Sequence, residues 1–222
     1  MKRQYDLIVF DWEGTIGEDS FGHVVNVLSQ EASRLHFGEF DKSLARRYIT
    51  FGIAGAIKQL FPQLLMYHQE QLVAAAQDAL SASASDIYLI EGAEKLIRQI
   101  HEAGLKLAIA TNKGPIALQR TLQTTGLDTY FKVTRSAGPV PPKPCPQMLE
   151  EIIDEMNSLP EKTLMIGDST SDIEMARSLG VDAIGIDLYN VQREELLAVG
   201  AKHVFETYKQ ITDYLNLSGG SK

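Results

Sequence analysis

Apolar and polar positions follow two different rhythms along this chain. Tyr5-Asp6-Leu7-Ile8-Val9-Phe10 is a short, β-rich apolar run that reads as a buried strand. Beyond it, Phe21, Val24, Val25, Leu28, Ala32 and Leu35 recur at helical spacing, which predicts a helix over 21–37. Two further helices are predicted near 52–61 and 67–80, and Ser81 to Ser85 reads as a Ser/Ala link. No strand is predicted from Phe21 to Ser85, so this stretch reads as a helical insert.

From Gly92 onward the rhythm alternates. Helices are predicted over 92–103, 115–125, 146–157, 171–179, 191–199 and 208–215. Strands are predicted over 105–110, 132–135, 163–166, 183–186 and 202–205. Strands and helices at this spacing make βαβ units, and βαβ units make a parallel sheet. The fold class is therefore α/β with an inserted helical domain: residues 1–18 and 84–222 form the core, and 19–83 the insert. Residues 138–146, rich in proline, read as a stiff extended loop. The end from Ser218 to Lys222 reads as a flexible tail.

Composition changes the picture in three respects. At 222 residues with 44% hydrophobic and 23% charged, folding can bury about 70% of the unfolded surface, enough for a core without disulfides. The 21 Lys and Arg against 29 Asp and Glu give a net charge of -8. That field repels nucleic-acid phosphates and anionic lipid, so neither is expected as a partner. The lone Cys145 excludes an internal disulfide or a thiolate metal cage and fits a reducing, cytoplasmic compartment. The apolar run at Leu7–Phe10 is too short for a signal peptide, and no stretch has the length of a membrane span.

In a parallel α/β sheet, ligands bind beyond the carboxyl ends of the strands. The residues just after each predicted strand are therefore informative. The first strand leads into Asp11-Trp12-Glu13-Gly14-Thr15, the second into Thr111-Asn112-Lys113. A Pro-rich loop with Lys143 comes after the third, and Gly167-Asp168-Ser169-Thr170-Ser171-Asp172 after the fourth. Asp11 and Glu13, two apart, face the same way if the segment is extended. Asp11 and Asp168 at neighbouring strand ends are suited to Mg²⁺, a hard cation that takes oxygen ligands. With Mg²⁺, Lys143, Thr111 and backbone N–H groups, the same edge becomes a phosphate site. Asp11 can then serve as nucleophile and Glu13 as general acid and base.

These motifs resemble the haloacid dehalogenase superfamily in its phosphatase branch, and the overall pattern is similar to phosphoglycolate phosphatase-like members. The first motif, Asp-x-Asp-Gly-Thr/Val, reads Asp11-Trp12-Glu13-Gly14-Thr15. The second, a Ser or Thr at a strand end, matches Thr111. The third matches Lys143-Pro144-Cys145-Pro146, and the fourth, Gly-Asp-x-x-x-Asp, matches Gly167 to Asp172. The resemblance implies a Rossmann-like core with a helical cap. It also implies a Mg²⁺-dependent phosphomonoester hydrolase that acts on a small phosphorylated metabolite through an aspartyl-phosphate. By position, Asp11 is nucleophile and metal ligand. Glu13 lends its carbonyl to the metal and its side chain as acid and base. Thr111 and Lys143 hold the phosphoryl group, Asn112 adds its backbone N–H, and Asp168 is a metal ligand. Asp172 and Thr15 support the site. A monomer or weak dimer is expected.

One position departs from the pattern. Phosphatases of this family carry Asp where this chain has Glu13, and the extra methylene adds roughly 1.5 Å of reach. An attenuated enzyme is the expectation, because about 1 Å of misplacement can cost on the order of 100-fold. The same departure leaves open a binding module with a disabled site. A phosphotransferase or mutase on sugar phosphates would use the same Asp11. A dehalogenase needs no Mg²⁺, and Asp168 and Thr15 count against it.

Each signal alone also has an ordinary reading. Thr111 and Asp168 can cap helices, Lys143 can be a solvated loop residue, and Asp172 is open between site support and a first-turn helix carboxylate. Four such signals in order, each at a strand end, carry the assignment together. Cys145 reads as a small filler, Trp12 as packing, and the five histidines as surface or packing residues. Within the insert, Arg46, Arg47 and Lys58 read as helix-face charges that can also meet a substrate, and Asp19 and Ser20 fall near the expected hinge.

Overall fold

The computed structural model describes residues 4–49, 52–82 and 87–217. Most of the predicted Ser/Ala link (83–85) and the predicted C-terminal tail (218–222) lie outside the described residues. Six strands form one parallel sheet: β1 (Leu7–Phe10), β2 (Lys106–Thr111), β3 (Val133–Ser136), β4 (Thr163–Gly167), β5 (Asp182–Ile186) and β6 (His203–Phe205). Their order is β3-β2-β1-β4-β5-β6, and every pairing is parallel. This is a Rossmann-like α/β sheet. All four residues of β1 are buried, as expected for a central strand covered on both faces.

The helices of the core unit are α5 (Ala93–Glu102), α6 (Pro115–Thr125), α7 (Gln147–Glu155), α8 (Thr170–Ser178), α9 (Arg193–Ala198) and α10 (Tyr208–Tyr214), with α1 to α4 in the insert. Leu7 and Val9 share one apolar cluster with Met148 and Ile152 of α7 and Ile173 and Ala176 of α8. Ile8 and Phe10 point the other way by the period of two, and the Phe10 ring meets the edge of Phe131 at 6.2 Å. Each predicted strand is present, displaced by at most two residues at either end. Short 3-10 turns at Leu127–Thr129 and Pro160–Lys162 have no counterpart among the predicted elements. They are single turns, too brief to leave a periodic signal.

The described chain divides into two compact units, one running up to Gly17 and from Leu89 onward, the other Glu18–Tyr88. The second is wholly helical among its described residues: α1 (Ser20–Arg34), α2 (Lys42–Tyr48), α3 (Ile53–Leu60) and α4 (Met66–Ala82). Leu28 and Ala32, Ile57 and Phe61, and Leu72 and Ala76 form its own core. The sequence pattern misses α2, because only Ala45 of its seven residues is buried and so no apolar stripe exists. Its start is set by polar chemistry: Asp41 Oδ1 accepts from the backbone N–H of Ser43 at 2.8 Å and of Leu44 at 3.3 Å. Asp19 caps α1 by accepting from Gly22 N–H at 2.6 Å, and Arg46 donates to both of its oxygens. Arg46 is thus committed to holding α1 and α2 together, while Arg47, Lys58 and Ser20 are exposed. No helix among the described residues is long and apolar enough to cross a membrane.

Candidate active site

The strand order reverses between β1 and β4. Successive connections leave to opposite sides there and open a crevice at the carboxyl edge of the sheet. Register shows which residues fill it. Phe10 is level with Ile109 of β2 and Ile166 of β4, so Asp11 emerges beside Ala110 and Gly167. Thr111 and Asp168 lie one step further out.

The segment after Phe10 does not continue as a strand. Trp12 carbonyl accepts from the N–H groups of Thr15, Ile16 and Gly17 at 3.3, 2.8 and 2.9 Å, winding the chain into a tight loop. This corrects the extended reading in which Asp11 and Glu13 face together. Asp11 turns inward and is buried, whereas the Glu13 side chain is 53% exposed. Glu13 Oε1 instead accepts from Lys113 Nζ at 2.8 Å. Trp12 is buried, in keeping with a packing role. Gly14, at φ +79°, is required on two counts. The left-handed backbone favours glycine, and a Cβ there would lie 2.2 Å from Asp168 Oδ2.

Lys143 is delivered into the centre of this edge. Its loop is not extended throughout. Gly138 N–H bonds to Val140 carbonyl at 3.2 Å and Cys145 N–H to Pro142 carbonyl at 3.0 Å, so the chain folds back twice. The Lys143 side chain is only 2% exposed. Its Nζ lies 2.7 Å from Asp11 Oδ1 and 2.6 Å from Asp172 Oδ1, and donates to Ala110 carbonyl at 3.2 Å. Asn112 clamps the Lys143 backbone: its Oδ1 accepts from Lys143 N–H at 2.8 Å, and its Nδ2 donates to Lys143 carbonyl at 3.4 Å. This role of the Asn112 side chain adds to the one expected of its backbone. Thr111 is buried at the end of β2, and its Oγ1 accepts from Lys113 N–H at 3.2 Å. A hydroxyl that accepts one bond still has a proton to donate.

Asp172 makes two sets of contacts, one within its helix and one with Lys143. Oδ2 accepts from Ser169 N–H and Oγ at 3.1 and 2.7 Å, closing a capping box at the start of α8, while Oδ1 receives Lys143. Asp168 accepts from Thr15 Oγ1 at 3.1 Å through Oδ1. Thr15 in turn receives the buried Tyr208 hydroxyl on its carbonyl at 2.8 Å. Neither Lys113 nor Tyr208 is a site residue on sequence grounds. Lys113 could have been found from its place after Thr111 and Asn112. Tyr208 carries no local signal.

The electrostatics reflect burial. Desolvation, and then the neighbouring Asp172 carboxylate, push the Asp11 carboxyl up to about 6, against the pull of Lys143. Burial pushes the Lys143 ammonium down, but Asp11 and Asp172 outweigh it and hold the pKa above its ordinary value. One oxygen from each of Asp11, Asp168 and Asp172 lies within 4.8 Å of the others. Among the described residues, the Lys143 ammonium pairs with Asp11 and Asp172, and the third carboxylate, Asp168, adds further negative charge beside them. Asp11 Oδ1, although close to Lys143, is a buried oxygen with no aligned hydrogen bond. Hard oxygen donors gathered on three carboxylates and a buried oxygen without an aligned hydrogen bond fit a divalent cation of the Mg²⁺ kind. The side chain that completes this triplet is Asp172, not Glu13.

The sequence profile of haloacid dehalogenase-like hydrolases matches residues 8–186. The chain belongs to the haloacid dehalogenase-like hydrolase family. Among curated relatives, a phosphoglycolate phosphatase of Colwellia psychrerythraea is 23% identical over 94% of this chain and 96% of its own. Pyrophosphatase PpaX of Listeria monocytogenes is 27% identical over 84% of this chain and 85% of its own. A crystal structure of a haloacid dehalogenase family hydrolase from Deinococcus radiodurans, with bound phosphate and sodium, superposes with a TM-score of 0.68 at 20% identity. It covers 99% of this chain and 100% of that one. That likeness shows the fold.

Proposed function

We propose that this hydrolase is a Mg²⁺-dependent phosphatase that cleaves a small phosphorylated metabolite by way of an aspartyl-phosphate on Asp11. The observation that carries the reading is the buried Lys143 ammonium held between Asp11 and Asp172, next to Asp168, at the crevice where the strand order reverses. The relatives named as phosphoglycolate phosphatase and pyrophosphatase support phosphate esters or anhydrides as the substrate class.

Asp11 and Asp168, with the Glu13 carbonyl, are the residues that would hold Mg²⁺. When bound, the ion supplies charge neutralisation and polarises the phosphoryl oxygens. Asp11 attacks phosphorus and the leaving oxygen departs with a proton from Glu13. Glu13 then takes a proton from water, which attacks the aspartyl-phosphate and frees Asp11. Lys143 keeps Asp11 oriented and, with the Thr111 hydroxyl and the Asn112 backbone N–H, meets the phosphoryl oxygens. Asp172 fixes Lys143 and Thr15 fixes Asp168. The helical segment 19–83 serves as a cap that excludes water for the first transfer and admits it for the second.

A phosphate-release panel of small phosphorylated acids, sugars and nucleotides, run with and without Mg²⁺, tests this. Release that requires Mg²⁺ and disappears in Asp11→Asn is expected. No release from any substrate, or release indifferent to Asp11→Asn, overturns the reading. Transfer of phosphate between sugar positions instead of to water would identify a mutase.

A further inference from the structure

The first loop of the site is held from a part of the chain that no motif includes. Tyr208 opens α10, and its ring is buried. Its hydroxyl donates to the carbonyl of Thr15 at 2.8 Å, entirely out of solvent and across 193 residues of sequence. Thr15, fully buried, passes the constraint on: its own hydroxyl donates to Asp168 Oδ1 at 3.1 Å. The ring's seat has been cleared for it. A Cβ on Gly92, at the start of α5, would lie 3.1 Å from Tyr208 Cδ2. α10 is itself fixed, by the capping box of Thr207 with Gln210 and by Thr212, whose hydroxyl donates to Gln99 Oε1 at 3.1 Å.

Packing alone does not explain a tyrosine here, since a phenylalanine would fill the same seat. The hydroxyl matters because of where it points. Groups that orient a metal ligand from behind tune its affinity, and losing one that touches the ligand typically costs about 10- to 100-fold. We propose that Tyr208 is a positioning residue for the metal end of the site, acting through Thr15 to fix the carboxylate of Asp168. In this arrangement the C-terminal helix, not the loop's own sequence, sets how the Asp168 carboxylate is oriented.

The proposal rests on the metal reading above but not on phosphatase activity, so its test uses neither substrate nor turnover. Mn²⁺, a spectroscopically visible divalent cation with the same taste for oxygen ligands, is titrated into the protein and the free ion counted by electron paramagnetic resonance. Tyr208→Phe is expected to raise the Mn²⁺ dissociation constant about 5- to 10-fold. Tyr5→Phe is the matched control. It removes another partly buried tyrosine hydroxyl, one that donates to Asp182 at the opposite edge of the sheet at 2.8 Å, and should leave Mn²⁺ binding within about twofold of wild type. Thr15→Val cuts the chain one link further on, and should weaken Mn²⁺ at least as much as Tyr208→Phe. The double variant should add nothing to Thr15→Val, because both act along one path. Unchanged affinity in Tyr208→Phe, equal weakening in Tyr5→Phe, or additive losses in the double variant each overturn the relay alone. A wild-type protein that binds no Mn²⁺ overturns the relay and the metal reading together.

Discussion

Two lysines at the same sheet edge each meet a carboxylate of the Asp11-Trp12-Glu13 segment, at almost the same distance and with opposite meaning. Lys143 lies 2.7 Å from Asp11 with side-chain exposures of 2% and 9%, and Lys113 lies 2.8 Å from Glu13 with exposures of 22% and 53%. A unit charge pair at 4 Å is worth about 1 kcal/mol in water and about 4 kcal/mol at the effective dielectric near a protein surface. Distance therefore does not rank these pairs; the surroundings do. The buried pair also has a second carboxylate, Asp172, whose presence is tolerable only while Lys143 stands between it and Asp11. The exposed pair can open at little cost, which suits the acid–base role proposed for Glu13.

The largest effect should come from removing the lysine of the buried set. Lys143→Met leaves Asp11 and Asp172 facing each other out of water, and breaking one partner of such a set costs about 3–5 kcal/mol. Denaturant unfolding of the metal-free protein should show that loss, with a melting temperature lower by on the order of 10 °C. Turnover should fall by roughly 1,000-fold, as expected when a preorganised oxyanion donor is lost. Adding Asp172→Asn to Lys143→Met should restore part of the stability but not the turnover. A Lys143→Met protein within about 1 kcal/mol of wild type would mean that burial does not separate the two pairs.

Asp11 gives the next test, through its proton. Its folded-state pKa is raised from 3.8 to about 6. Between these values the folded protein holds a proton that the unfolded chain has released. Stability must therefore fall as pH rises through this window. Asp11→Asn should remove that contribution, so that thermal unfolding of metal-free wild type and variant, followed from pH 4 to pH 6, converges at the acid end and favours the variant at pH 6. A wild type that gains stability relative to Asp11→Asn over the same range contradicts the burial account. Phosphate release by the variant should be abolished at every pH.

The contrast between the pairs also marks how far the sequence can be read. The ends of β1, β2 and β4 are legible because a buried parallel strand writes itself as a dense apolar run, and the polar residues that end it are local to it. Lys143 is legible as a member of a pattern, although not as a residue with two carboxylate partners. The pairing of Glu13 with Lys113, 100 residues apart, is not legible. It depends on the Trp12 carbonyl gathering three N–H groups and turning Glu13 outward, a backbone event with no side-chain signature. Tyr208 is invisible for the same kind of reason, since its partner is the carbonyl of Thr15 and any residue has a carbonyl. The helix α2 escapes because its boundary is set by Asp41 and not by apolar spacing.

Glu13→Asp sharpens the comparison from the exposed side. Aspartate is shorter by one methylene, roughly 1.5 Å, which draws the carboxylate away from Lys113 and toward the position typical of family phosphatases. Turnover of a good substrate should rise, by up to about 100-fold if reach is the limitation, with melting temperature unchanged. Steady-state kinetics decides the matter, and equal or lower kcat in the variant rules out reach as the cause.

The smallest effect is expected from Lys113→Ala, and its smallness is the point. An exposed ion pair contributes about 0–1 kcal/mol, so stability should drop by no more than that. The difference from wild type should shrink in high salt, which screens solvated charges far more than buried ones. The Lys143→Met loss should persist in the same salt. Since Lys113 pairs with the Glu13 carboxylate, its removal should raise kcat by at most about fivefold, the factor that corresponds to 1 kcal/mol. It should do nothing in a Glu13→Asp background, where the shorter side chain no longer reaches the lysine. Denaturation and kinetics at low and high salt measure both. A loss in Lys113→Ala as large and as salt-resistant as that in Lys143→Met would show that the two lysines share one electrostatic environment, despite the difference in burial.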